Sequence, residues 1–207
     1  AAEYAALWEG FCRAAGRLRE AVSAEDADPE AYLYGLLSIL ERFTWCVPAA
    51  AYRAVPDTNL YDHSRMTAAL AVCLASQPDD VLEGLLPKPE ASEVPVAHLV
   101  GGDVSGVQDF ISTVTPRGAA SSLRGRSLYL QLLTEAVARY LLRQLGLPPT
   151  NLVYASGGRF FLLAPPGENT REVLTRARTY IARVLLRHHA GDLYLALADV
   201  TLTPQDL

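Results

Sequence analysis

Few residues of this chain are equipped for chemistry, and most of them fall in its second half. Gly101-Gly102-Asp103-Val104-Ser105-Gly106 sets one carboxylate among three glycines. A backbone without Cβ atoms can approach a ligand closely. A carboxylate there has three open roles: holding a shared ion, holding a ribose hydroxyl, or capping a turn. Ser121-Ser122 with Arg124 and Arg126 stands at an expected helix start, where free N–H groups and the helix dipole attract anions. The same residues also suit a helix cap with solvated arginines. Ser156-Gly157-Gly158-Arg159 separates two β-rich runs and contains no acid.

Nucleotidyl transfer on a palm-type sheet needs paired carboxylates that hold two divalent ions roughly 4 Å apart. One acid belongs at the end of the first strand and the other in the central hairpin. Asp103 fits the first place and the hairpin has no acid, so this region is not expected to be a complete catalyst. An RNA-binding sheet instead needs aromatics displayed on its central strands. Phe160 and Phe161 are consecutive on one strand, so only one of them can leave the core. The expected K/R-G-F/Y-G/A-F pattern is also missing. A plain interaction domain is the third use, and fold alone does not choose among the three.

The elements that must position these residues form two regions. Residues 1–86 read as helical. Tyr4, Leu7, Trp8, Phe11 and Cys12 follow helical spacing, and Asp28-Pro29 reads as an N-cap followed by Pro at the first helical position. Asp62 or Ser64 is expected to open a third helix through Leu74, and Asp79–Leu86 a short fourth. Residues 87–95 hold three prolines and read as a linker. Residues 96–207 then predict strand 96–104, helix 122–145, strands 151–155 and 159–164, a helix from Asn169 or Thr170 to His188, and strand 192–202. This β-α-β-β-α-β order is the ferredoxin-like unit, which makes the fold class α+β.

Composition narrows the rest. The chain has 207 residues, a net charge of −5 and 50% hydrophobic residues, which is globular composition. It shows no basic stripe for nucleic acid, no apolar run long enough to span a membrane and no signal-peptide pattern at its start. Cys12, Cys46 and Cys73 lack CxxC spacing and suit a reducing compartment, so a cytoplasmic location is expected. Lys88 is the sole lysine among 18 basic residues, a bias that suits bidentate carboxylate and phosphate contacts and equally follows from genome base composition.

Four segments resemble a known family. Asp57–Ala71 (DTNLYDHSRMTAALA) is similar to its SLYDHSK-TAA signature, and Gly102–Ile111 (GDVSGVQDFI) to GDISGIQDFI. Ser122–Glu135 and Asn151–Phe161 follow the same family. Together they resemble the large signature subunit of type III CRISPR effector complexes, in its subtype A form. The family is far longer, so the resemblance implies a piece: the end of an HD nuclease domain and the first palm.

The resemblance implies further expectations. The second palm of the family carries Gly-Gly-Asp-Asp and makes cyclic oligoadenylates from ATP with Mg or Mn, and the first palm helps to hold ATP. Asp103, Ser105, Gly106, Gln108 and Asp109 with Ser156, Gly157 and Gly158 would line half of that site. Ser122, Arg124 and Arg126 would stand near the phosphates. Ser156 replaces the first glycine of the family's usual Gly-Gly-Gly. His63 matches a divalent-metal ligand of the HD nuclease, which acts on single-stranded DNA. No histidine precedes it in residues 1–62, so the HD site is incomplete here. Implied partners are the other effector subunits and, through them, the CRISPR RNA and target RNA. The alternative is a non-catalytic scaffold or an RNA-binding ferredoxin-like module.

Overall fold

A computed structural model describes residues 2–22, 28–49, 57–85, 87–88, 91–112 and 119–207. The chain divides into two compact units, Ala1–Ala68 with Pro148–Thr150, and Ala69–Leu147 with Asn151–Leu207. The proline-rich stretch 87–95 lies within the range of the second unit.

The first unit contains α1 (Ala2–Val22), α2 (Pro29–Thr44) and the start of α3 (Leu60–Leu74). Asp28 caps α2 as its sequence predicts: Oδ1 accepts from the Glu30 N–H at 2.9 Å, and Pro29 occupies the first turn. The apolar stripe of α1 is used only in part. Tyr4 and Trp8 are exposed, and the pairing with α2 runs through Phe11, set edge-on to Phe43 at 6.4 Å. The cap of α3 also differs from expectation. Asn59 Oδ1 accepts from the Asp62 N–H at 2.8 Å, and Asn59 Nδ2 donates back to Asp62 Oδ2 at 2.7 Å. This reciprocal pairing of the cap with the third helical residue starts the helix before Asp62.

The second unit contains α4 (Asp79–Leu85), β1 (Ala97–Ser105), α5 (Val107–Ser112), α6 (Ala119–Leu145), β2 (Leu152–Ser156), β3 (Arg159–Ala164), α7 (Glu168–His189) and β4 (Tyr194–Leu202). The sheet order is β2-β3-β1-β4, with every neighbouring pair antiparallel. That order, with α6 and α7 as the crossovers, is the ferredoxin-like arrangement, as the element order predicts. Period-two alternation sends Val100, Phe160, Leu162 and Leu197 into the core. There they meet Val137 and Leu141 of α6 and Leu174, Ile181 and Leu185 of α7. Gly102 faces Phe160 so closely that a Cβ would lie 2.0 Å from the ring.

Asn151 ends the connection from α6 to β2 and is fully buried. Its Nδ2 donates to the Leu163 carbonyl at 2.9 Å and to the Ala69 carbonyl at 3.3 Å, with Cys73 Sγ at 3.7 Å. One amide thus joins the last turns of α3 to the sheet. Gly146 closes α6 with φ 66, as expected of a glycine just past a helix end. α7 opens at Glu168, one residue before Asn169, and Thr170 instead donates to the Pro165 carbonyl at 2.8 Å. α5 was not foreseen, because six residues are too few to reveal a helical period.

Candidate functional site

Strand register decides which side chains meet. β1 and β3 pair Asp103 with Arg159 and Gly101 with Phe161, and β1 and β4 pair Ser105 with Tyr194. Directly paired residues share a face. Asp103, Ser105, Arg159, Phe161 and Tyr194 therefore stand together on the sheet face that α6 and α7 leave open. Arg159 Nε donates to Asp103 Oδ1 at 3.2 Å. The Ser105 hydroxyl donates to Asp103 Oδ2 at 3.2 Å. The pair is accessible, with side-chain exposure of 69% for Arg159 and 45% for Asp103.

The hairpin beside them is built by its glycines. Gly157 and Gly158 have φ of 61° and 88°, the positive values that a tight two-residue hairpin turn demands. Ser156 precedes the turn as the last residue of β2, outside the positive-φ region, so its Cβ meets no backbone penalty. The Gly158 carbonyl accepts from the Val104 N–H at 2.7 Å, which ties the turn to β1 next to Asp103. Gly106 leaves β1 with φ 88°, and a Cβ there would lie 1.9 Å from the Asp192 carbonyl oxygen. Only glycine fits that junction.

The remaining predicted residues scatter around this end of the sheet. Gln108 and Asp109 are exposed on α5, whose first turn closes with the Phe110 N–H on the Gly106 carbonyl at 3.0 Å. α6 begins at Ala119, so Ser122 is its fourth residue; Ser122 is half-buried and Arg124 exposed. Arg126 has partners within the fold. It donates to the Phe110 carbonyl, and its guanidinium lies 5.1 Å from the Phe110 ring centroid.

On the open sheet face, Asp103 is already held by a guanidinium and a hydroxyl, a set of partners that does not fit a divalent ion. His63 is exposed on α3 in the first unit. Among the described residues, no three His, Cys, Asp or Glu side chains converge as a metal site.

Sequence reading missed Arg159, Phe161, Tyr154 and Tyr194 as site residues. Phe161 is 40% exposed and Tyr154 50%, with ring centroids 6.5 Å apart. The alternation that buries Phe160 is the signal that displays Phe161. Placing Arg159 over Asp103 also needs the cross-strand register.

Residues 96–207 match the family model described as Csm1 subunit domain B. The single-strand-specific deoxyribonuclease Cas10/Csm1 (subtype III-A) of Methanocaldococcus jannaschii is 31% identical over 195 residues, which covers 83% of this chain and 24% of that protein. Its Mycobacterium tuberculosis counterpart is 36% identical over 185 residues, covering 86% of this chain and 23% of that protein. Among solved structures, a Csm1–Csm4 cassette in complex with pppApA is similar with a TM-score of 0.72 and 30% identity, over 93% of this chain and 26% of that one. The chain thus spans about a quarter of the length of the relatives it matches. No described helix is long and apolar enough to cross a membrane.

Proposed function

Because the chain belongs to the Csm1 family, the large subunit of subtype III-A CRISPR systems, we propose that its ferredoxin-like unit is the first palm of that subunit and forms one half of a composite ATP site. The other half, in the complete subunit, carries the acids that hold Mg or Mn. The complete site joins ATP into cyclic oligoadenylates. The carrying observation is the half-set of residues on the open sheet face. Asp103 stands there with Ser105, Arg159 and the hairpin Ser156–Gly158, accessible, while the hairpin itself carries no acid.

The likeness to a cassette that holds pppApA, a dinucleotide bearing a triphosphate, supports this reading. Glycines at the hairpin admit close approach of a nucleotide. Ser105 and Asp103 offer hydrogen-bond partners for ribose hydroxyls. Arg124, exposed near the start of α6, supplies charge for phosphate, and Ser122 a hydroxyl. Gln108 and Asp109 complete the rim.

The first unit is the later part of an HD-type domain in this reading. His63 is one ligand of a divalent metal whose remaining ligands lie elsewhere in the complete subunit, so single-strand DNA cleavage needs that whole. A Csm4-type subunit is the direct protein partner, and CRISPR RNA and target RNA are met through the complex.

Titration calorimetry of ATP with Mg²⁺ tests the site. Binding is expected to the complete subunit, with weak binding and no turnover for the 207-residue chain. Strong Mg²⁺-dependent ATP turnover by the chain alone would overturn the half-site. A second reading, single-stranded RNA stacking on the sheet, has the displayed Tyr154 and Phe161 in its favour. It predicts salt-sensitive oligonucleotide binding that a Phe161→Ala exchange removes.

A further inference from the structure

We propose that Arg159 is a nucleotide-binding residue: its guanidinium takes the seat beside Asp103 that a divalent ion would hold, and it meets the phosphates of the bound nucleotide directly. This rests on the composite-site reading above and adds the identity of the positive charge in this half.

Position is the first argument. A palm-type metal site sits between the carboxylate ending the first strand and the central hairpin. Here that space is bridged by Arg159 Nε, 3.2 Å from Asp103 Oδ1. The second carboxylate oxygen is held by the Ser105 hydroxyl at 3.2 Å. A cation arriving at Asp103 would have to displace both partners, and it would find a fixed positive charge already there.

Orientation is the second. Arg159 follows directly on the two glycines of the turn, and Gly158 is bonded to Val104 at 2.7 Å. The backbone of Arg159 is therefore fixed by β1 on one side and by the hairpin on the other. Asp103 then restrains the side chain through Nε. A guanidinium has five N–H donors in a planar fork, and the terminal NH₂ groups match phosphate oxygens in pairs. Asp103 is thereby a positioning residue that aims Arg159.

Energetics is the third. A pair this exposed adds little to stability, so the fold has slight need of it. The electrostatic need is larger. A lone carboxylate on this face would repel a triphosphate, and one arginine cancels that charge while keeping donors for the ligand.

The test uses the complete subunit in its effector complex, activated by target RNA, with ATP kinetics for the parent, Arg159→Gln and Arg159→Lys. Arg159→Gln is expected to raise KM for ATP about tenfold or more, the usual size of losing a hydrogen bond to a charged group, with kcat much less changed. Arg159→Lys keeps the charge without the fork and should fall between. Counting nucleotide-bound Mn²⁺ by electron paramagnetic resonance should give the same number for the parent and Asp103→Ala. An unchanged KM in Arg159→Gln, or one Mn²⁺ lost in Asp103→Ala, overturns the proposal. If Asp103→Ala impairs synthesis while Arg159→Gln does not, the site stands and only the role of Arg159 falls. If neither does, the composite site itself falls.

Discussion

Arg159 Nε lies 3.2 Å from Asp103 Oδ1 across the β1–β3 ladder, on the face of the sheet away from its helices. The contact joins the acid near the end of β1 to the residue after the hairpin. An ion pair in such an exposed place has a small structural value. Arg159→Gln and Asp103→Ala should each change unfolding free energy by less than about 1 kcal/mol. Denaturant titration of the 207-residue chain checks this. A loss well above that would make the pair a structural clamp.

Asn151 is the opposite case. It is fully buried, and its amide serves the carbonyls of Leu163 and Ala69. Truncation leaves two buried acceptors without this donor. Asn151→Ala should cost about 2–6 kcal/mol, counting roughly 1–3 for each abandoned group. A loss under about 1 kcal/mol in the same titration would show that water or a shifted backbone replaces the amide.

His98 should make stability depend on pH. It is buried on the helix-covered face. Nε2 accepts from the Gly167 N–H at 3.1 Å, while Nδ1 lies 3.2 Å from Thr201 Oγ1 and 3.7 Å from Asp199 Oδ2. Burial lowers its pKa from the ordinary 6.5, against the pull of Asp199 and with a smaller push from Arg171. The unfolded chain therefore takes up the proton first as pH falls. The stability contribution of His98 is complete above the ordinary value and declines as pH drops through and below it. The melting temperature should fall between about pH 7 and 5, and His98→Gln should flatten that slope. An unchanged slope in the variant would contradict this.

Thiol chemistry offers an independent check of the packing. Cys12 and Cys46 are exposed and Cys73 is buried. Burial pushes the Cys73 thiol up to about 11, against the lowering contact with Asn151. A thiolate-specific reagent at neutral pH should label two thiols of the folded 207-residue chain quickly and the third only on unfolding. Fast labelling of Cys73 would mean that the end of α3 opens readily.

Much of the fold was legible because periodicity and punctuation carried it. Strand alternation around Leu195 and Leu197, the long apolar side of α6 and the Gly146 stop all follow from local spacing. The hairpin glycines did too, since a two-residue turn admits few other residues. The pairing of Asp103 with Arg159 was not legible, because it depends on the register between strands 56 residues apart in sequence. The surroundings of Arg126 were hidden for a related reason. Its charge and place near a helix start suggest an anion hook, yet α5 packs beneath it and takes the guanidinium on Phe110. Asn151 gave no signal, since nothing in its neighbourhood shows that α3 will arrive beside it.

On the proposed reading, this unit supplies an acid-poor half of a two-part nucleotide site. The most direct measurement is the initial rate of cyclic oligoadenylate formation by the complete subunit in its complex, with and without Asp103→Ala. Loss of the carboxylate that aims Arg159 should cut product formation at low ATP by about tenfold or more. The fold and complex assembly should stay intact. A rate equal to the parent at every ATP concentration would contradict the account.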